Sequence, residues 1–433
     1  MFVGITNTPR DYAWGATDAI ATALGRTPSG SPEAELWLGA HRGSPAVITE
    51  PAKANGLHDL VEWIKEAPQE ALGADWATVT DGAEPRLPFL LKLLAAANPL
   101  SLQAHPSAER ARIGFELENA AGVPLDAFDR NYKDPFHKPE LIYALSESFE
   151  ALCGFRTIAE VHRILEELRA IDATTDRPQA EALDLVERRL VGDDALHDVV
   201  DWLLRDGHGD DSGEVIWLVE RVVELAEQAA FLADGGAHIS FIREFNTVRS
   251  LAAVYPGDPG IVMSLLLNRV SLKRGEVLYL PAGNIHAYLS GFGVELMAAS
   301  DNVLRGGLTP KHIDVDELLD VLDFTPLPVP YLLPEVIAPG VSVFRPDVPD
   351  FQLVHIEADA AEVADTAGAV SVPPMRQVAL AGPAIALCLN GGFLVAGESS
   401  SVTLKRGESV FITPEEGTVT FAGVGEVFLA MPQ

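Results

Sequence analysis

Three short stretches of the chain carry side chains that could build a metal site together. In SLQAHPS, Gln103 and His105 are two residues apart. Alternate residues of a strand project to one face, so an amide oxygen and an imidazole would share one space. In DPFHKPELIYAL, Pro139 opposes a helix and biases Lys138 toward extended backbone. Lys138 and Glu140 then share a face, a cation beside a carboxylate, while His137 points the other way and is not nominated. In GEVLYLPAGNIHAYLSG, a strand-like run ends in Pro281, Gly283 and His286, a tight turn that would present one more imidazole. Taken singly, each has an ordinary reading as a surface ion pair or a satisfied polar residue. Together, Gln103, His105, Glu140 and His286 offer two imidazoles, one carboxylate and one amide oxygen. That set suits Zn2+ with a position left for water or substrate. Two imidazoles and a carboxylate also suit Fe2+, and ligand type alone leaves both open.

A fourth stretch, GVELMAASDNVLRGGLTPKHIDV, adds charge. Glu295 lies between Val294 and Leu296, so by alternation it faces away from both, and its ordinary reading is the solvent side of a strand. Arg305 and Lys311 lie in a glycine-containing segment that can approach a ligand closely. Their setting matters because the chain has a formal net charge of −32. Such a field excludes nucleic acid and anionic membranes as partners and repels phosphorylated small molecules at long range. Cations placed beside the proposed metal motif are therefore more informative than cations elsewhere.

These residues need strands to hold them, and the chain supplies strands in two blocks. Residues 1 to about 155 mix short apolar runs with turn signals, with helical pieces near 56–73 and 107–121. From Thr157 the period becomes helical. Thr157 and Glu160 have capping-box spacing, and Val161, Ile164, Leu165, Leu168 and Ile171 follow on one stripe. Further helical patterns cover about 179–191, 213–232 and 240–253, with the polar loop DGHGDDSG before the second of these. Strand character returns at about 261 and dominates to the end, apart from a helix at VDELLDVL. LKRGEVLYLP at 272–281 and LKRGESVFITP at 404–414 share their first five residues, which points to two copies of one β unit. The first copy is followed by His286; the second has no histidine and reads as structural. A length of 433 residues suggests about three domains. No apolar run approaches the roughly 18 residues that span a bilayer, and the N-terminus lacks the pattern of a signal peptide. Two cysteines, Cys153 and Cys388, show neither a disulfide framework nor metal spacing. Cytoplasmic location is the simplest expectation.

The Gly275 to His286 spacing resembles a signature of the cupin superfamily, where strand and turn present a histidine inside a β-barrel. More specifically, YAWG at 12–15, ELWLGAH at 35–41, LPFLLK at 87–92, PLSLQAHPS at 99–107, NYKDPFHKPE at 131–140, HAYLSG at 286–291 and SDNVLRGGLTPK at 300–311 resemble the type I phosphomannose isomerases. The resemblance implies a mainly β fold of two cupin-like jelly-roll barrels with an inserted helical domain. The expected boundaries are 1–155 with 240–325 for a catalytic unit, 156–239 for the insert, and 326–433 for a second barrel without metal ligands. It implies one Zn2+ on Gln103, His105, Glu140 and His286, and a catalytic Arg305. It also implies Lys138 and Glu295 in the pocket, Lys311, Ser101 and Lys92 near a phosphate, and Trp14 and Tyr288 lining the site. The expected activity is aldose–ketose isomerisation of a phosphorylated hexose, by a monomer or weak homo-oligomer. Glu295, Lys138 and a water at the metal are the candidate bases. The sequence departs from the family at Arg42, Gly43 and Phe136, which affects the expected pocket rim rather than a ligand. An Fe2+ cupin dioxygenase and a non-catalytic sugar-phosphate-binding regulator are the rivals, and neither explains Arg305 and Lys311 together with a full ligand set.

Overall fold

The computed structural model describes residues 1–78, 84–209, 213–362 and 373–433. Its strands form two antiparallel sheets, one of nine strands and one of ten, and a run of helices lies between Ile158 and Val254.

One long strand, His286–Ala298, organises the nine-stranded sheet. Its later residues pair with Phe89–Ala96 on one side and Glu140–Ala144 on the other. Its first residues pair with Leu102–Ala104 and Phe149–Phe155. Register then decides what meets. His286 lies opposite Gln103, and Gln103 lies opposite Arg305. Directly opposed residues share a face, so these three form a row across three strands. A second row runs Trp37, Lys92, Glu295.

The run LPFLLKLL is buried along its whole strand, as expected for a strand covered on both faces. One face packs Leu94, Ala96, Ile142, Ala144 and Leu278 into an apolar cluster. The other packs Leu91, Leu93, Val294 and Leu296 against Leu387, Phe411 and Phe428 of the ten-stranded sheet. Lys92 and Glu295 are the charged exceptions in this apolar setting.

The repeated LKRGE is the same turn twice. In one copy Lys273 N–H donates to the Glu276 carboxylate at 2.8 Å and Gly275 has φ 91°. In the other Lys405 N–H donates to Glu408 at 2.8 Å and Gly407 has φ 82°. Each turn needs a residue at positive φ, which glycine adopts most readily. Each is followed by a short strand and then a long one, His286–Ala298 or Thr418–Met431. Thr418 opens the second long strand where His286 opens the first.

The helix Ile158–Asp172 begins as read: the Thr157 hydroxyl accepts from Glu160 N–H at 3.3 Å, and the expected stripe is buried. The Glu160 carboxylate takes Arg156 at 2.8 Å, a stronger partner than a backbone N–H. Helices Ala180–Glu187, Gly213–Asp234 and Ile242–Val254 fall where the periodicity put them. Residues 210–212 of the polar loop lie outside the described residues. One helix, Ala195–His208, is absent from the sequence reading although Leu196, Val199, Val200, Leu203 and Leu204 are buried at helical spacing. Strand structure resumes at Leu267 rather than about 261. Ile261 N–H bonds the Asp258 carbonyl and Met263 N–H bonds Pro259, so IVM is a helical turn. An apolar run buried on all sides gives no period to distinguish the two. Among the described residues, no helix is long and apolar enough to cross a membrane.

Candidate active site

His105 follows the strand Leu102–Ala104, Glu140 opens the strand Glu140–Ala144, and His286 opens the long strand. These three buried residues bring one ligand atom each within 4.8 Å of one another. His105 Nε2 lies 3.4 Å from one Glu140 oxygen, and His286 Nε2 lies 3.5 Å from the other. Both rings are oriented from behind: His105 Nδ1 bonds the Asn302 carbonyl at 2.8 Å, and His286 Nδ1 bonds the Asn284 carbonyl at 3.0 Å. A carbonyl only accepts, so Nδ1 carries the hydrogen in each ring and the Nε2 lone pairs face Glu140. Burial, helped by the Lys138 ammonium, lowers the His105 imidazole to about 4, which keeps it neutral near pH 7. Burial would raise the Glu140 carboxyl. Lys138, at 2.7 Å, and the His105 ring outweigh it and hold the group well below the usual carboxylate range.

Both Nε2 atoms and Glu140 Oε2 are buried without a hydrogen-bond partner. Each such atom costs about 1–3 kcal/mol if nothing satisfies it. Two imidazole nitrogens and a carboxylate aimed at a common point are a donor set for a divalent cation such as Zn2+, which would remove that cost. Gln103, opposite His286 and lining the adjoining cavity, can add an amide oxygen.

That cavity has a volume of about 400 Å3. Of the residues expected at the site, Trp14, Lys92, Ser101, Gln103, Lys138, Arg305 and Lys311 line it. Tyr288, Glu295 and the ligand candidates His105, Glu140 and His286 are not part of its lining, and all five are buried. Tyr288 packs edge-on against Phe149 with ring centroids 5.2 Å apart. Burial, reinforced by the Glu295 and Glu140 carboxylates, holds its phenol well above the usual range.

Glu295 is not on a solvent face, because its stretch of strand, Val294 to Ala298, is buried on both faces. It meets Lys92 at 2.8 Å, and Lys92 also reaches Glu35 at 3.6 Å and stands 5.1 Å from the Trp37 ring centroid. Burial would lower the Lys92 ammonium, but Glu295, Glu35 and Glu140 overcome it and raise it. Burial raises Glu295 despite Lys92. Arg305 and Lys311 differ. Neither has a carboxylate within salt-bridge reach among the described residues; burial lowers Arg305, and burial with the Arg305 charge lowers Lys311. Two uncommitted cations on a cavity wall of a strongly acidic chain are poised for an anion.

Several positioning groups escaped the sequence reading. The fully buried Asn302 side chain accepts from Lys133 N–H at 2.7 Å and donates to the Asp134 and Phe136 carbonyls at 2.7 and 2.8 Å. It ties the loop before Lys138 to the loop behind His105. His41 lines the cavity with Nε2 3.0 Å from Asp301, and its Nδ1 accepts from Gly43 N–H at 3.1 Å. Arg42 pairs with Glu84 at the surface, and Phe136 lies under the Arg86 guanidinium at 3.5 Å. His137 does point away, to Asp350 at 2.8 Å. The signal for Glu35 and Trp37 was present as two-residue spacing in ELWLGAH, which places both on the Lys92 face.

Known proteins resemble the chain along nearly its whole length. Residues 2–158 match the model of the phosphomannose isomerase type I catalytic domain. The chain is 34% identical over 434 aligned residues to the mannose-6-phosphate isomerase of Escherichia coli (strain K12), covering 98% of this chain and 97% of that one. It is 31% identical to the rat enzyme over 426 residues, covering 94% and 92%. A crystal structure of mannose 6-phosphate isomerase bound with zinc and yttrium superposes with a TM-score of 0.80 at 31% identity, covering 100% of this chain and 99% of that one. The apo form from Salmonella typhimurium gives 0.80 at 31%, with the same coverage. With its matched catalytic domain, full-length relatives and shared architecture, the chain is an isomerase and belongs to the type I phosphomannose isomerase family.

Proposed function

We propose that the protein interconverts D-mannose 6-phosphate and D-fructose 6-phosphate with one Zn2+ held by Gln103, His105, Glu140 and His286. The observation that carries this reading is the convergence of three buried, unpartnered ligand atoms beside a cavity whose wall holds Arg305 and Lys311. The bound metal would serve as a Lewis acid that polarises the sugar oxygens at C1 and C2.

The protein's own groups do the rest. Isomerisation moves a proton between C1 and C2 of the open-chain sugar, through an enediol(ate) whose oxygens gain negative charge. Arg305, in the row with Gln103 and His286, stabilises that charge. Lys138 lines the cavity and Glu295 does not, which favours Lys138, in its neutral amine form, as the base that moves the proton. Glu295 acts through Lys92, fixing its ammonium at the wall. Lys311 and Ser101 bind the phosphate, which anchors the far end of the sugar and sets C1 and C2 in place. Trp14 shapes the wall.

In this reading residues 1–155 and 240–325 form a cupin-like jelly-roll unit, 156–239 a helical insert, and 326–433 a second such unit without metal ligands, whose sheet also takes in the strands Phe2–Thr6 and Val47–Ile48. The paired LKRGE turns support that duplication. Two buried free cysteines fit a cytoplasmic protein. The test is conversion of mannose 6-phosphate in D2O, followed by NMR. Fructose 6-phosphate as product supports the reading, with deuterium at the exchanged carbon giving the extent of solvent exchange. No conversion by folded, zinc-loaded protein would overturn it.

A further inference from the structure

The segment that carries Arg305 and Lys311 is held in a conformation its sequence does not prefer. Leu308 has φ 55°, the left-handed region that a residue with a Cβ disfavours, and it is buried. Gly307 before it has φ 127°. What holds this bend is Asp258, in the loop that follows the helix Ile242–Val254. Asp258 Oδ2 accepts from Leu308 N–H at 2.9 Å, and Oδ1 accepts from Gly260 N–H at 2.7 Å. A Cβ on Gly307 would stand 3.0 Å from Asp258 Oδ1 and 3.1 Å from Gly260 Cα, so the two backbones touch here. The same loop holds a second segment. The Tyr255 hydroxyl donates to the Pro99 carbonyl at 2.9 Å, two residues before Ser101, and Tyr255 and Leu308 both line the cavity.

We infer that Asp258 is a positioning residue for the reaction: by clamping Leu308 in its left-handed conformation it aims Arg305 and Lys311 into the cavity. It touches no substrate. A carboxylate suits the task because it presents two acceptor oxygens to two backbone N–H groups. An asparagine offers one oxygen and would turn its NH2 toward the other N–H. The helical block thereby sets the geometry of an anion site built on the sheet. This inference rests on the reading that Arg305 and Lys311 serve a phosphorylated sugar.

The experiment compares wild type, Asp258→Asn and Asp258→Ala, each checked for fold and zinc content and assayed well below its thermal midpoint. The readouts are KM and kcat for mannose 6-phosphate and the inhibition constant of inorganic phosphate. The expected result is a lowered kcat, through Arg305, together with a KM and a phosphate inhibition constant raised, through Lys311, several-fold in Asp258→Asn and at least about tenfold in Asp258→Ala, a step of about 1.4 kcal/mol. Folded variants with wild-type values would make Asp258 merely structural and overturn the inference. If Asp258→Ala fails to fold, Asp258→Asn, which keeps the shape and one acceptor, decides alone. A wild type that neither isomerises the sugar phosphate nor is inhibited by phosphate sinks the functional reading and this inference together. A wild type that does both, beside unaffected variants, sinks only the inference.

Discussion

Replacing Lys92 by Met keeps the length of the side chain and removes the one cation between two buried carboxylates. Lys92 is 5% exposed, Glu295 3% and Glu35 7%. Breaking a buried pair by deleting one partner costs about 3–5 kcal/mol, because the remaining charge has neither water nor a counter-ion. The entropy of unfolding is about 2.1 cal/mol/K per residue. Over 433 residues that is about 0.9 kcal/mol/K if the chain melts as a unit, so the midpoint should fall by about 3–6 °C. The pH dependence has a definite sign. Burial already raises Glu295 above its usual value of 4.5, and loss of Lys92 raises it further. A carboxyl with a higher pKa folded than unfolded binds more protons in the folded state. Stability therefore falls as pH rises from the unfolded value through the folded one. The variant should be closest to wild type near pH 4.5 and furthest from it above neutrality. Adding Glu295→Gln should recover more than half of the loss. Urea unfolding of wild type and variants at about pH 5 and about pH 7.5 measures this. A deficit below about 1 kcal/mol at the higher pH, or one that does not change with pH, would refute the reasoning.

Other residues separate by kinetics and metal content. Arg305→Ala should lower kcat by about 10²–10³ with little change in KM, as for a donor that acts on developing charge; a pure KM effect would move Arg305 to phosphate binding. Lys311→Ala should erode the preference for mannose 6-phosphate over mannose by about 10–100-fold, the worth of one charged hydrogen bond. Unchanged discrimination would remove it from that role. Glu140→Ala should fold yet lose its zinc, read by metal analysis of the purified protein; a full complement of one zinc per chain would contradict the ligand assignment.

Much of the site was legible because its chemistry depends on local spacing. Gln103 with His105, Lys138 with Glu140, and the turn before His286 each follow from alternation or from proline and glycine chemistry, and the long strand assembles them. The fate of Glu295 was not legible. Alternation gave its face correctly, but whether that face meets solvent depends on which sheets and helices cover it. The partners of Lys92 and Tyr288 were not legible for the same reason, since they come from strands far apart in sequence. Asn302 and Asp258 work through backbone groups, which leave no pattern of residue types to read. The helix Ala195–His208 carried its apolar period in plain view, whereas IVMSLLLN, buried all round, carried none. The N-terminal strand Phe2–Thr6 pairs with Ser409–Ile412, a contact across the whole chain that only the tertiary fold supplies.

The central claim is that the buried His105, Glu140 and His286 atoms hold the metal on which isomerisation depends. A coupled assay with mannose 6-phosphate before chelation, after chelation and after return of Zn2+ tests it most directly. The account predicts activity that disappears with the chelator and returns with stoichiometric zinc. Full activity in chelated, metal-free protein would contradict the account, as would a folded, zinc-loaded protein with no activity at all.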